Sequence, residues 1–483
     1  MAAGRGTRMR SKMAKVLHPL CGRPLLLWPV EAAREANAER IVVVLDPAVE
    51  EVRRVLPPGV EIATQHEQKG TGDAVISARD QLERSESVIV LSGDHPLVDS
   101  AFLEGLAERH ASSGAAATIA THVLENPGEY GRIVRGADDE VERIVETKTP
   151  GDATADELSI KEINIGTYAF RTKPFLEALD RLRPENAQRE LYLGDVVPLM
   201  RGAGERVVAY RTDDEGPGLG INTRADLALV REICQEKIHE RLMLAGVTIT
   251  DPASTIIDVD VRVGEDTVVD PYTFLHGQVA IGSDCRIGPM TTLIDCAVGN
   301  GVLVLHSYLT ACEVLDGCKI GPFSYIRPGT RLGEEVKQGA FTEIKNSNIG
   351  EGAKIPHLSY VGDADVGEGA NLAAGNIVAN WDGRRKHRTV IGADVKTGVH
   401  TTFIAPLNVG NRAYTGAGSV ITDDIPEGAL GIARAPQQNV EGYADRVDAK
   451  AQAEDGDEPT GAPERAEAGK SAKKPVSEGG KQS

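Results

Sequence analysis

The feature that most constrains this chain is a repeated aliphatic-glycine pair beyond residue 245. It recurs as Val263-Gly264, Ile281-Gly282, Ile287-Gly288, Ile320-Gly321, Leu332-Gly333, Ile349-Gly350, Val366-Gly367, Ile391-Gly392 and Val409-Gly410. Several gaps are multiples of six, and the step from Val263 to Ile281, like that from Ile391 to Val409, is eighteen. Three six-residue flats closing one triangular coil produce this period, so the spacing predicts a left-handed parallel β-helix of hexapeptide repeats. In this reading the aliphatic residue points inward at each corner and the glycine permits the turn beside it. Such a coil leaves open edges and a flat face, which predicts assembly into a homotrimer.

Upstream the texture differs. To about residue 220, short β-branched runs such as Ile41-Val42-Val43-Val44-Leu45 and Val88-Ile89-Val90-Leu91 alternate with helix-like stretches. That alternation predicts a Rossmann-like α/β domain with a parallel sheet covered by helices. Leu227, Val230, Ile233, Ile238 and Leu242 then fall at helical spacing among charged residues. The expected organisation is an α/β domain over 1–221, a linker helix over 222–244, the β-helix over 245–440 and a tail over 441–483. The tail has almost no large apolar groups and is expected to be disordered.

A formal charge of −19 argues against nonspecific binding to nucleic acid or an anionic membrane, while small anionic substrates remain compatible through a local basic pocket. No apolar run is long enough to span a bilayer and the start lacks signal-peptide character, so a cytoplasmic location is expected. The six cysteines form no C-x-x-C pair, which disfavours zinc and leaves buried thiols as the expectation.

Two groups of residues carry chemistry. Near the start, the small-residue loop Ala2-Ala3-Gly4-Arg5-Gly6-Thr7-Arg8-Met9 is followed by Lys15. Such a loop admits phosphates to backbone N–H groups, and Arg8 and Lys15 supply charge to neutralise a triphosphate. Within the repeats lie Arg327-Pro328-Gly329, Glu343-Ile344-Lys345, His357-Leu358-Ser359-Tyr360 and Asn380-Trp381-Asp382-Gly383. A single histidine in a repeat is more often a structural hydrogen-bonder, and a single aspartate after a strand, such as Asp94, is more often a cap or turn residue. The concurrence of neighbours shifts both readings toward function.

Over about residues 1–440 these motifs resemble those of the bacterial bifunctional N-acetylglucosamine-1-phosphate uridyltransferase and glucosamine-1-phosphate acetyltransferase family. The resemblance implies UTP and sugar-nucleotide contacts by Gly4, Gln65, Gly70, Thr71, Gly131, Glu146 and Asn164, with Arg8 and Lys15 catalytic and Asp94 and Asn222 as ligands of Mg²⁺. In the second site it implies His357 as general base, oriented by Glu343, and a glucosamine-phosphate pocket of Arg327, Lys345, Tyr360, Asn371 and Lys386. Ala374, Asn380, Trp381, Val399, Ala417 and Arg434 would contact acetyl-CoA, with Trp381 standing for a usual Tyr and Val399 for a Ser. The implied substrates are glucosamine 1-phosphate, N-acetylglucosamine 1-phosphate, UTP and acetyl-CoA.

One departure bears on activity. Only Met1-Ala2-Ala3 precedes Gly4, so the first strand of the α/β domain is expected to be missing. An acetyltransferase with an inactive partner domain is therefore the alternative to a bifunctional enzyme. A β-helix serving only for oligomerisation is a third reading, disfavoured by His357, Lys345 and Arg327.

Overall fold

The computed structural model describes residues 1–4, 6–147, 153–184 and 189–455. Two compact units are present, one over Met1–Ala433 and a second that begins at Arg434. In the first unit, strand Ala117–Val123 pairs in parallel with Val207–Arg211 and antiparallel with the long strand Glu162–Arg171. Ser87–Val90 also lies antiparallel to Glu162–Arg171. The sheet is therefore mixed, not parallel as the βα alternation predicts. The reason is Glu162–Arg171 itself, a ten-residue strand whose buried Ile163, Ile165, Thr167, Ala169 and Phe170 hold it at the centre of the sheet in the reverse direction. Phe170 stacks on Phe175 with ring centroids 3.9 Å apart, tying that strand to the following helix Thr172–Leu179.

Val42–Leu45 and Glu61–Thr64 form a separate parallel pair. Met1–Ala3 make no strand, yet they are laid between this pair and the end of Ser87–Val90. Ala2 N donates to Val44 O at 2.9 Å, and Gly93 N donates to Met1 O at 2.8 Å. Three residues thus bridge the two sheets at the edge from which the small-residue loop leaves.

The helix Arg224–Leu244 begins at a capping box in which Thr223 and Asp226 satisfy each other's backbone N–H groups. Its buried stripe, Leu227, Val230, Cys234, Ile238 and Leu242, packs into the same core as the first coils of the repeat.

From Thr248 the chain winds through three parallel sheets of seven, ten and nine strands, the three faces of a left-handed β-helix. Val263 pairs with Ile281 at the predicted step. Most of these short strands turn an aliphatic side chain inward. Ile281, Val298, Val314, Leu332, Ile349, Val366, Ile391 and Val409 form one such buried column, and Leu275, Leu293, Leu309, Ile326, Ile344 and Val361 another. At about 1.5–3 kcal/mol for each fully buried aliphatic side chain, these columns are the main source of the β-helix's stability.

The glycine of the repeated pair has a different reason from the one the spacing suggests. Only Gly288 and Gly321 of the nine have positive φ. At the others the constraint is the coil above: a Cβ on Gly264 would lie 2.6 Å from Gly282 C, on Gly350 2.6 Å from Glu368 N, and on Gly410 2.4 Å from Glu427 N. Glycine is required there for coil-on-coil approach, and the left-handed turn residues are other positions.

All six cysteines are buried and free. In the second unit, the expectation of disorder from 441 meets a helix over Tyr443–Asp455. Its sequence is rich in alanine and charged helix formers, and Lys450 and Glu454 pair at i,i+4, so a helix forms there without an apolar core. The remainder of the expected tail, 456–483, lies outside the described residues.

Candidate active sites

The small-residue loop turns at Gly6, whose φ of 60° and contact with Lys15 leave no room for a side chain: a Cβ there would be 2.5 Å from Lys15 Cβ. This packing directs Lys15 toward Asp94, with which it forms an ion pair, and places its Nζ 3.3 Å from Asn222 Oδ1. Arg8 donates to the same Asn222 Oδ1 at 2.8 Å. Segments more than 200 residues apart thus place two cations and two oxygen ligands together.

Backbone bonds hold the two oxygen-bearing residues. Ile221 N donates to Asp94 O at 2.9 Å, and Asn222 N donates to Asp226 Oδ2 at 2.9 Å. Burial works to raise the Asp94 pKa, but the charges of His95 and Lys15 outweigh it and hold the carboxyl below the usual carboxylate range. Among the described residues no cluster of three or more His, Cys, Asp or Glu side chains forms a closed metal cage. A pair of hard oxygen donors with an ammonium lodged between them still fits Mg²⁺, which usually takes one or two protein oxygens and completes its shell with phosphates and water.

The remaining expected nucleotide-domain residues fall in two places. Gln65 is buried, and its Nε2 donates to Gly70 O at 3.2 Å and Asp73 Oδ2 at 2.8 Å, which fixes the amide's orientation. The Thr71 hydroxyl accepts from Leu193 N at 2.9 Å, and Gly70 has φ 113° with Leu191 O where a Cβ would stand. Gly131, Glu146 and Asn164 meet at a strand seam: Asn164 N donates to Gly131 O at 2.9 Å, and a Glu146 oxygen lies 3.6 Å from a Cβ built on Gly131. Gly4 has open space around it. Gln68 Nε2 donates to Ala3 O at 2.8 Å, tying the segment around Gln65 and Thr71 to the small-residue loop, and Tyr168 OH accepts from Asn164 Nδ2 at 2.7 Å. Tyr168 is given no role from the sequence, where neither its type nor its spacing differs from that of a core tyrosine.

The second site lies on the ten-stranded face. Glu343 and Lys345 sit in register with Tyr360 and Gly362 on the next coil. Arg327 donates to Glu343 Oε1 at 2.8 Å and stands over the Tyr325 ring at 5.7 Å. Asn380 Nδ2 reaches Tyr360 OH at 3.3 Å, and Lys386 adjoins Lys345 closely enough to be the first cause of its lowered pKa. Arg327, Lys345, Tyr360, Asn380 and Lys386 therefore converge. Trp381 pairs with Lys386 across a bridge and is exposed, in a loop pinned by Asp382, which accepts from Arg384 N and Arg385 N.

Two expectations are corrected. Glu343 does not orient His357: its carboxylate is engaged by Arg327, because the two occupy one face while His357 precedes the strand at the neighbouring corner. Asn371 is not with the other sugar-phosphate candidates either. It lies on the adjacent face, bridged between Lys354 and Lys396.

His357 belongs to a corner column with the acetyl-CoA candidates. Gly375 N donates to His357 O, His400 N to Ala374 O, and Gly418 N to Val399 O, at 3.1, 2.8 and 2.8 Å. His357, Ala374, Val399 and Ala417 thus sit at equivalent places on successive coils. The residue following each is left-handed: Leu358, Gly375, His400 and Gly418. Below His357 the same left-handed positions carry Tyr272, Met290, His306, Phe323 and Phe341, a largely apolar and exposed ladder. Above it, glycine at 375 and 418 opens the corner. Arg434 lies in the second compact unit.

A mixed-sheet α/β domain with a small-residue loop, joined through one helix to a left-handed β-helix with His357 exposed at one corner, defines a two-domain transferase. Residues 1–193 match the MobA-like NTP transferase domain family. The chain is 44% identical over 451 residues to the bifunctional protein GlmU of Geobacillus sp. (strain WCH70), covering 93% of this chain and 98% of that one. It is 44% identical over 455 residues to GlmU of Mycobacterium tuberculosis (strain ATCC 25177 / H37Ra), with 92% and 91% covered. GlmU of Shouchella clausii is 42% identical over 444 residues, with 92% and 97% covered. The chain belongs to the GlmU family of bifunctional proteins.

Proposed function

We propose that this chain acetylates glucosamine 1-phosphate with acetyl-CoA and then transfers uridyl from UTP to the N-acetylglucosamine 1-phosphate so formed, releasing pyrophosphate. The observation that carries the reading is that both candidate sites assemble in space on one chain, each from segments distant in sequence. Similarity that spans both domains favours two activities over acetyl transfer alone.

In the β-helix site the sugar amine attacks the thioester carbonyl, the amine proton passes to His357, and the thiolate of coenzyme A leaves. Arg327, Lys345 and Lys386 hold the sugar phosphate, and the column Ala374, Val399 and Ala417 receives the thioester arm. In the α/β site a sugar-phosphate oxygen attacks the α-phosphorus of UTP in line and pyrophosphate leaves. Gln65, Gly70 and Thr71 hold the base, and Gly131, Glu146 and Asn164 hold the sugar. Arg8 and Lys15 neutralise the triphosphate. Asp94 and Asn222 would hold Mg²⁺, which supplies further charge neutralisation on the phosphates.

Assembly as a homotrimer is part of the proposal. The exposed ladder Tyr272, Met290, Phe323, Phe341 and Leu358 supplies apolar surface for contact between copies. No helix among the described residues is long and apolar enough to cross a membrane, in keeping with a cytoplasmic enzyme.

The test is separability. His357→Ala should lose acetyl transfer by about 10²-fold or more and keep uridyl transfer, whereas Arg8→Ala should do the reverse. Unchanged acetylation in His357→Ala would sink the assignment of the second site.

A further inference from the structure

Asp363 lies at the corner that follows strand Tyr360–Gly362, in the left-handed conformation with φ 50°, and is only 7% exposed. Its Oδ1 accepts from Asn346 Nδ2 and its Oδ2 from Asn380 Nδ2, each at 2.5 Å. Other aspartates at this corner behave differently. Asp258 Oδ2 accepts from the backbone of Gly277, and Asp295 Oδ1 from the backbone of Gln278, both at 2.8 Å. Those two stitch neighbouring coils together through the main chain. Asp363 spends both oxygens on side-chain amides instead, while its N–H, like theirs, makes a coil-to-coil bond, to Lys345 O at 2.9 Å.

The consequence falls on Asn380. With its Nδ2 directed to Asp363 and, at 3.3 Å, to Tyr360 OH, the carboxamide is fixed so that its other end, Oδ1, is turned away from both. Residue 380 stands among Tyr360, Lys345 and Lys386, the groups assigned above to the sugar phosphate. We infer that Asp363 is a positioning residue for acetyl transfer: it locks the Asn380 carboxamide with its oxygen toward the cleft, as acceptor for an N–H of the amino sugar. The carboxylate also lies close enough to Lys345 and Lys386 to interact with their charges, so it offsets the repulsion between two cations gathered for one phosphate. This inference rests on the acetyltransferase reading of the site.

The experiment uses the full chain, with both activities measured on every sample. Asp363→Asn keeps the size of the side chain but leaves one carbonyl oxygen and one NH2 group where two carboxylate oxygens stood, so Asn346 and Asn380 can no longer both donate to it and the charged hold on the Asn380 amide is lost. The expected result is a loss of about 10- to 100-fold in kcat/KM for glucosamine 1-phosphate, the size of one misplaced hydrogen bond. The uridyl-transfer rate should stay within about twofold, because it does not depend on that acceptor. The double variant Asp363→Asn with Asn380→Asp restores the pair with its polarity exchanged and returns an oxygen to the cleft. It should recover most of the lost kcat/KM.

Wild-type kcat/KM in Asp363→Asn, or a double variant no better than the single one, overturns the inference. A loss shared equally by uridyl transfer and by the thermal midpoint overturns it too, since that is what a purely structural carboxylate gives. A wild-type chain that releases pyrophosphate but acetylates no glucosamine 1-phosphate instead removes the reading on which the inference stands, and the two failures are distinct.

Discussion

Replacing Gly350 by alanine tests what the repeated glycine does. A Cβ at 350 would meet Glu368 N at 2.6 Å, Gly367 C at 2.7 Å and Glu368 Cα at 3.0 Å, all backbone of the next coil. Contact between carbon atoms is relaxed at about 3.5–4.0 Å, so the two coils must part by close to 1 Å, against the inter-coil hydrogen bonds on either side. Overpacking of a well-ordered core costs about 1–3 kcal/mol, and rigid backbone on the far side places this case near 3. Gly352, two residues on, has φ 62° and nothing within 4 Å of a Cβ, so alanine there meets only the left-handed backbone penalty, about 1 kcal/mol. For a domain the size of the β-helix 1 kcal/mol moves the thermal midpoint by about 2–4 °C, so Gly350→Ala should lower it by about 6–12 °C and Gly352→Ala by about 2–4 °C. Far-UV circular dichroism at a fixed scan rate, paired with heat inactivation of acetyl transfer, reads both. Equal shifts, or a larger one for Gly352→Ala, would refute the close-approach account and restore the turn as the glycine's role.

Three further outcomes follow from the sites. Lys15→Met removes the ammonium lodged between Asp94 and Asn222; titration with Mn²⁺ followed by electron paramagnetic resonance should show tighter binding in the absence of UTP, while uridyl transfer falls about 10²-fold or more. Val399→Ser places a hydroxyl in the corner column above His357 and should lower KM for acetyl-CoA by up to about tenfold, with pyrophosphate release unchanged. For Asp363, burial works to raise the pKa but the amides of Asn346 and Asn380 and the charges of Lys345 and Lys386 depress it. A depressed carboxylate contributes stability that is full above the unfolded pKa, about 3.9, and is lost as pH falls through the lower folded value. Urea midpoints of the wild type should therefore decline below about pH 4 more steeply than those of Asp363→Asn.

What was legible in the sequence was periodic. The step of eighteen residues is a property of the chain itself, so the β-helix and its inward aliphatic columns could be read without coordinates. The glycine's purpose could not, because Glu368 approaches Gly350 only once the coils are stacked. Strand direction was hidden for a similar reason: the reversal of Glu162–Arg171 depends on which neighbours it finds, and alternation of apolar residues is the same in either direction. Among site residues, Arg8, Lys15, Asp94 and Asn222 were legible through motifs and do converge. Glu343 was assigned to His357 although Arg327 lies nearer, a choice that turns on which corner each residue occupies. Asp363 sits in Gly362-Asp363-Ala364-Asp365, a stretch that reads as an ordinary turn. Its partners, Asn346 and Asn380, are brought to it by the seventeen-residue coil spacing on either side.

The central claim is that one chain performs both steps. Supplying the purified protein with glucosamine 1-phosphate, acetyl-CoA, UTP and Mg²⁺, and following free thiol and pyrophosphate in one vessel, tests it most directly. The account predicts thiol release first, pyrophosphate after it, and UDP-N-acetylglucosamine as the product. Thiol release without pyrophosphate, even when N-acetylglucosamine 1-phosphate is added directly, would contradict it.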